Sequence, residues 1–243
     1  MKFARSAPSV FPMLLIFTLN AAASTPSRSY ENPRLANGEI VVRSACIMPA
    51  EGKLSRLSMK GHEGMARESN AWSTELQTIV ESHLKLAGVE VVPATGAGDS
   101  GASDDELNQL VLKLQGKYDE IAGKIEKKPK DISNKERFTL GDEVALLPCD
   151  AKADVLVIVE GKGQVVSGGK KAMGILIGGG PADSMGHLTV TLADAKTGLI
   201  LAFVRMNNAG KFVNDSEKAY GEALDKQFKK MNLGPNASAA RKK

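Results

Sequence analysis

The chain has 243 residues, 42% of them hydrophobic and 25% charged, and its 32 lysines and arginines against 28 acidic residues give a formal charge of +4. That is enough chain for one large domain or two small ones with a substantial core, and the charge is too balanced to point to a nucleic-acid partner. With three scattered histidines and two cysteines, no metal or other cofactor is expected.

The first segment reads as an export signal. Lys2 and Arg5 precede an apolar run from Val10 to Leu19, and Ala21-Ala22-Ala23 supplies the small residues a signal peptidase reads, so cleavage is expected after Ala23. The run is about half of the ~20 residues that span a bilayer and contains Pro12, which disfavours a permanent anchor. Ser24 rather than Cys follows the cut, so no lipid anchor is expected, and losing Lys2 and Arg5 lowers the charge to +2 from +4. These features predict a periplasmic or secreted protein.

Residues 24–37 hold Pro26 and Pro33 among Ser, Arg and Asn and read as a flexible leader to a single domain over 38–234. A first strand is predicted from Glu39 to Met48. Glu51 to Ser69 is polar and punctuated by glycine. Trp72, Leu76, Ile79, Val80, His83 and Leu84 then recur at helical spacing, and Gly88 ends that helix. Val89 to Val92 forms a short strand. Ser103-Asp104-Asp105-Glu106 is a capping box ahead of a helix with an apolar stripe from Leu107 to Ile125, stopped by Pro129.

A shorter helix is expected over Leu140 to Leu147, with Thr139 as a cap. Val155 to Val159 has the continuous apolar character of a strand covered on both faces, extending less regularly to Val166. Leu188, Val190 and Leu192 alternate with threonines, and Leu199, Leu201 and Phe203 answer on a returning strand. Asp194, Thr197 and Gly198 make the hairpin turn between them. A last helix runs from Ser216 to Met231, and residues 235–243 read as a disordered tail. Helical crossovers make the early strands parallel and the tight turn makes the late ones antiparallel. The fold class is therefore a single α/β (α+β) domain with a mixed sheet and a C-terminal helix.

Ala153-Asp154-Val155 with its apolar run to Gly161, followed by Leu192-Ala193-Asp194 and Ala195-Lys196-Thr197-Gly198-Leu199, resembles a pattern of bacterial envelope proteins. The groups are the curli secretion component (CsgG-like), the lipoprotein activators of penicillin-binding proteins and the N-terminal domain of the Tol-system propeller protein. The resemblance implies a non-catalytic domain that works by contacting other envelope proteins. Two features depart from it: the lipoprotein cysteine is missing, and no paired apolar segments match the pore-forming hairpins of the curli channel.

Other patterns carry little chemistry. Aligning Gly169-Lys170 with a phosphate loop puts Gln164 at its first glycine and Lys171 where a hydroxyl is needed. His62-Glu63 begins like a zinc-protease helix, but Ala66 stands in place of the second histidine, and the flanking glycines favour a loop. His83 and His187 read as core-edge histidines, and no serine sits in a nucleophile elbow.

The segment Gly168 to Gly186 is the unusual one, with Lys170 and Lys171 before Met173, Ile175, Leu176 and Ile177 in a frame of glycines. It reads either as a contact loop for an envelope protein, a second copy or a membrane surface, or as apolar chain folded back on the sheet edge. The leading function is an exported, non-catalytic accessory protein acting through protein contacts. The alternatives are a secreted hydrolase and a small-molecule carrier whose pocket Trp72, Tyr118 and this segment would line.

Cys46 and Cys149 are the only cysteines, and in an exported chain a disulfide is the default. The predicted sheet argues against one. If the strand after Asp154 runs parallel to the first, Cys46 lies near the end of one strand while Cys149 precedes the start of the other. About six residues at ~3.3 Å each then separate them by about 20 Å, against a ~7 Å limit for bridged Cα atoms. Two unpaired thiols are the expectation.

Overall fold

The computed structural model describes residues 25–92, 104–127, 138–147, 149, 153–169, 184–210, 212–231 and 233–234. The signal segment, the Ser103 cap, residues 170–183 with the expected contact loop, and the tail from 235 lie outside them.

Eight strands form one mixed sheet: β1 (Thr25–Glu31), β2 (Ser44–Ile47), β3 (Glu51–Ser58), β4 (Gly61–Gly64), β5 (Glu90–Val92), β6 (Val155–Val166), β7 (Met185–Asp194) and β8 (Ile200–Ala209). Their order is β1-β8-β7-β6-β2-β5, with β3 also on β6 and β4 on β3. Beside the sheet lie α1 (Pro33–Ala36), α2 (Ala66–Leu86), α3 (Asp104–Lys127) and α4 (Ser216–Met231). β2 is parallel to both β5 and β6, the two strands on either side of α3 in the chain, whereas β6-β7-β8 is an antiparallel meander. This is the mixed α/β domain that the crossovers and the tight turn predict.

β6 organises the core because both its faces are covered. Val155, Val157 and Val159 join Trp72, Leu76, Tyr220 and Phe228 in the layer with α2 and α4. Leu156 joins Tyr118, Ile125, Ile200 and Phe203 in the layer with α3. Alternation along an extended strand sends neighbouring residues to opposite layers. Where α2 approaches most closely, β6 carries Gly161, since a Cβ there would stand 2.4 Å from Leu76 Cδ1 and 2.8 Å from the Trp72 ring.

The two aspartates of the envelope-type pattern have local structural work. Asp154 Oδ2 accepts from the amides of Arg43 at 2.9 Å and Ser44 at 3.1 Å, fixing the start of β2 beside that of β6. Asp194 Oδ1 accepts from the amides of Lys196 and Thr197 and from the Thr197 hydroxyl, closing the turn from β7 to β8, where Gly198 takes φ 66°. A side chain at that φ would be strained.

Four expectations are corrected. Residues 25–31, read as part of a flexible leader, form β1 and pair antiparallel with β8. The polar stretch after Glu51 contains the β3-β4 hairpin, with His62 and Glu63 in β4 rather than in a loop. The helix expected over Leu140 to Leu147 is a 3-10 turn, Asp142–Leu146, without a side-chain cap; Thr139 Oγ1 instead accepts from the Gly141 amide and donates to the Thr197 carbonyl.

The fourth concerns the cysteines. Cys46 and Cys149 are disulfide-bonded, with Cα atoms 5.9 Å apart, so the two thiols are not free. The parallel pairing that argued against a bridge is nevertheless present, with Cys46 opposite Leu156. What fails is the separation of about 20 Å inferred from residue count alone. Cys149 lies beside β2 itself, its Cα 5.9 Å from that of Cys46, and not about 20 Å before the start of β6.

Candidate functional site

The layer under α3 is only half covered. α3 crosses the sheet with Gln115 donating to Glu51 (2.9 Å), Tyr118 bonded to Thr191 (3.1 Å), and Glu126 paired with Arg205 (2.6 Å) on β8. Apolar side chains of β6 and β8 fill one side of this crossing. On the other side the sheet continues without a covering element among the described residues, and its side chains turn polar.

Strand register sorts these side chains into rows. Glu51, Glu160, Thr189 and Arg205 are successive partners across β3, β6, β7 and β8, at the edge of α3. The next row out is Lys53, Lys162, His187 and Asn207, and beyond it stand Ser55, Gln164 and Met185. Lys53, Ser55, Lys162, Gln164, Met185 and His187 line an open groove of about 400 Å³.

Charge is segregated between the first two rows. Glu160 is 8% exposed, and burial raises its carboxyl above the ordinary value, with Asp119 and Glu51 adding to the rise and Lys162 opposing it. Lys53 pairs with Glu51 at 2.7 Å, and that hydrogen bond raises its pKa; Lys162 lies 3.9 Å from Glu160. Lys53 and Lys162 are themselves direct partners across the parallel β3-β6 pairing.

His187 has a defined proton. Arg205 Nη2 stands 3.1 Å from His187 Nδ1, and a guanidinium only donates, so Nδ1 is the acceptor and the neutral ring carries its proton on Nε2. Burial first, then the charges of Arg205 and Lys162, lower the His187 pKa to about 4. At neutral pH the ring is therefore an uncharged donor. The second row presents two ammonium groups and this N–H, while the carboxylates stand behind it.

On the opposite layer, His83 is 4% exposed, with Nδ1 2.7 Å from Asp225 Oδ1 and Nε2 3.1 Å from Glu217 Oε1, fastening α2 to α4. Trp72 and Tyr118, which the carrier alternative placed in one pocket with the Gly168 to Gly186 segment, do not share a cavity. Trp72 donates to Ser216 Oγ at 3.0 Å in one layer and Tyr118 bonds Thr191 in the other, so the sheet separates them.

Of the residues singled out from the sequence, Asp194, Thr197 and Gly198 come together in the hairpin turn. Lys170, Lys171, Met173, Ile175, Leu176 and Ile177 lie outside the described residues. Sequence reasoning missed the groove row. Its signal was the alternation of Lys53 and Ser55 with Gly52 and Leu54 and of Glu160, Lys162 and Gln164 with glycines, which is half-buried strand in a stretch read as irregular.

No described helix is long and apolar enough to cross a membrane. No family model matches the chain, and no curated protein matches it. Among solved structures, the PelC dodecamer of Paraburkholderia phytofirmans aligns at 10% identity over 86% of this chain and 98% of that one, with a TM-score of 0.37. A point variant of the same dodecamer aligns with the same identity and coverage and a TM-score of 0.39. Values this low transfer neither an activity nor an assembly.

Proposed function

We propose that this chain is an exported accessory protein of the cell envelope that works by protein–protein contact, with another envelope protein or a second copy of itself as partner. The observation that carries the reading is the state of the β5 end of the sheet. β5 pairs only with β2, so among the described residues its outer edge has no strand beside it. Such edges are templates for adding a strand from another chain.

Export is supported by the signal-type N-terminus and by the disulfide, which persists in oxidising compartments. The resemblance to CsgG-like and related envelope proteins points the same way.

The test is crosslinking in the producing cell followed by mass spectrometry, comparing the wild type with Val91→Pro. The Glu90 amide donates inward to the Arg43 carbonyl, so the Val91 amide faces the open edge of β5. Proline there blocks strand addition while leaving the inner ladder intact. A specific self or envelope crosslink that falls several-fold in the variant supports the proposal. Absence of any specific crosslink to the wild type refutes it.

A further inference from the structure

We infer that the groove over β3, β6 and β7 is a binding site for a phosphate monoester or inorganic phosphate, held between Lys53, Lys162 and His187. The inference goes beyond the protein-contact reading and rests on different residues.

Three observations carry it. First, Lys53, Lys162 and His187 are consecutive partners in one cross-strand row and line the same groove. Adjacent strands lie about 4.8 Å apart, so two ammonium groups on neighbouring strands can both reach one tetrahedral anion. Second, each lysine keeps donors to spare. An ammonium carries three N–H groups; among the described residues Lys53 directs one to Glu51 at 2.7 Å, and Lys162 has the longer 3.9 Å approach to Glu160. The two carboxylates belong to the row behind, beside α3, and neither lines the groove.

Third, the Arg205 contact to Nδ1 leaves the His187 Nε2–H as donor, with no acid–base change near neutral pH. Among the described residues the row thus offers donors without a lining carboxylate. A dianion between them can accept from all three strands, whereas a singly charged, planar carboxylate uses the row less fully.

The experiment is a titration of the mature, disulfide-bonded protein with inorganic phosphate, glycerol 3-phosphate and acetate at constant ionic strength, read by calorimetry and by backbone amide shifts. The expected result is saturable binding of both phosphates, with shifts centred on residues 53, 162 and 187. Binding should weaken at least tenfold in Lys53→Gln/Lys162→Gln, two exposed positions whose replacement leaves the core untouched. No saturable phosphate binding by the wild type overturns the site. So does binding that the double variant retains, or acetate bound as tightly as phosphate. None of these outcomes bears on the β5 edge, so the two proposals fail separately.

Discussion

Removing the Cys46–Cys149 bridge is the sharpest perturbation of this fold. The two residues are 103 positions apart, and in the chain-entropy account a loop of that length removes about 4.7 kcal/mol of freedom from the unfolded chain. Cys46 is fully buried between β5 and β6, so Cys46→Ala also leaves a small void that adds to the loss. A Cys46→Ala/Cys149→Ala variant should therefore be about 3–5 kcal/mol less stable than the oxidised wild type, a large share of the 5–15 kcal/mol that ordinarily holds a domain together. Urea unfolding followed by circular dichroism measures the difference, with reduced wild type as the control that leaves both sulfurs in place. Thiol labelling of the unfolded, unreduced mature protein should find no reactive thiol. Two reactive thiols, or a loss below about 1 kcal/mol, would refute the reasoning.

Two further outcomes follow from packing and charge. Gly161→Ala brings a methyl to 2.4 Å from Leu76 Cδ1 and should cost about 1–3 kcal/mol by overpacking; the double variant with Leu76→Ala should show a favourable coupling, and additive losses would count against the clash. His187 should titrate by NMR at about 4, against an ordinary 6.5. Between those values the unfolded chain binds the proton and the folded one does not, so stability is full above about 6.5 and falls as the pH drops towards about 4. After allowance for screening the loss is at most about 2 kcal/mol, and His187→Gln should abolish that slope; a slope unchanged in the variant assigns it to other groups.

Much of the fold was legible because its signals are local. The apolar stripes of α2 and α3, the continuous run of β6, and the Asp194 to Gly198 turn each act within a few residues of themselves. β1 was missed because Thr25–Glu31 is polar and begins beside a proline, and its strand form depends on the β8 edge that receives it. β3 was missed for a similar reason: its inward positions are Gly52 and Leu54, too little apolar area to advertise a strand, and its partner β6 lies about 110 residues away. The groove depends on that same pairing, since Lys53 and Lys162 become neighbours only when β3 docks. The disulfide was misjudged although the strand order behind the argument holds, because periodicity reports the strands and not where a residue outside them sits.

The long strand β6 has two successive neighbours on one side, β2 along its first residues and β3 along the rest, and both pairings are parallel and far apart in sequence. On its other side it meets β7, and β7 meets β8, in nearest-neighbour hairpin order. Loop-closure entropy ranks these contacts in time. The β7-β8 hairpin closes over five residues and can gather first, β6 follows, and the N-terminal strands can be seated only when a finished edge awaits them. On that ranking the bridge would close last, as a latch that records arrival of β2 rather than a guide that brings it there. A chain assembled in this order would leave its N-terminal half open until its C-terminal half is available.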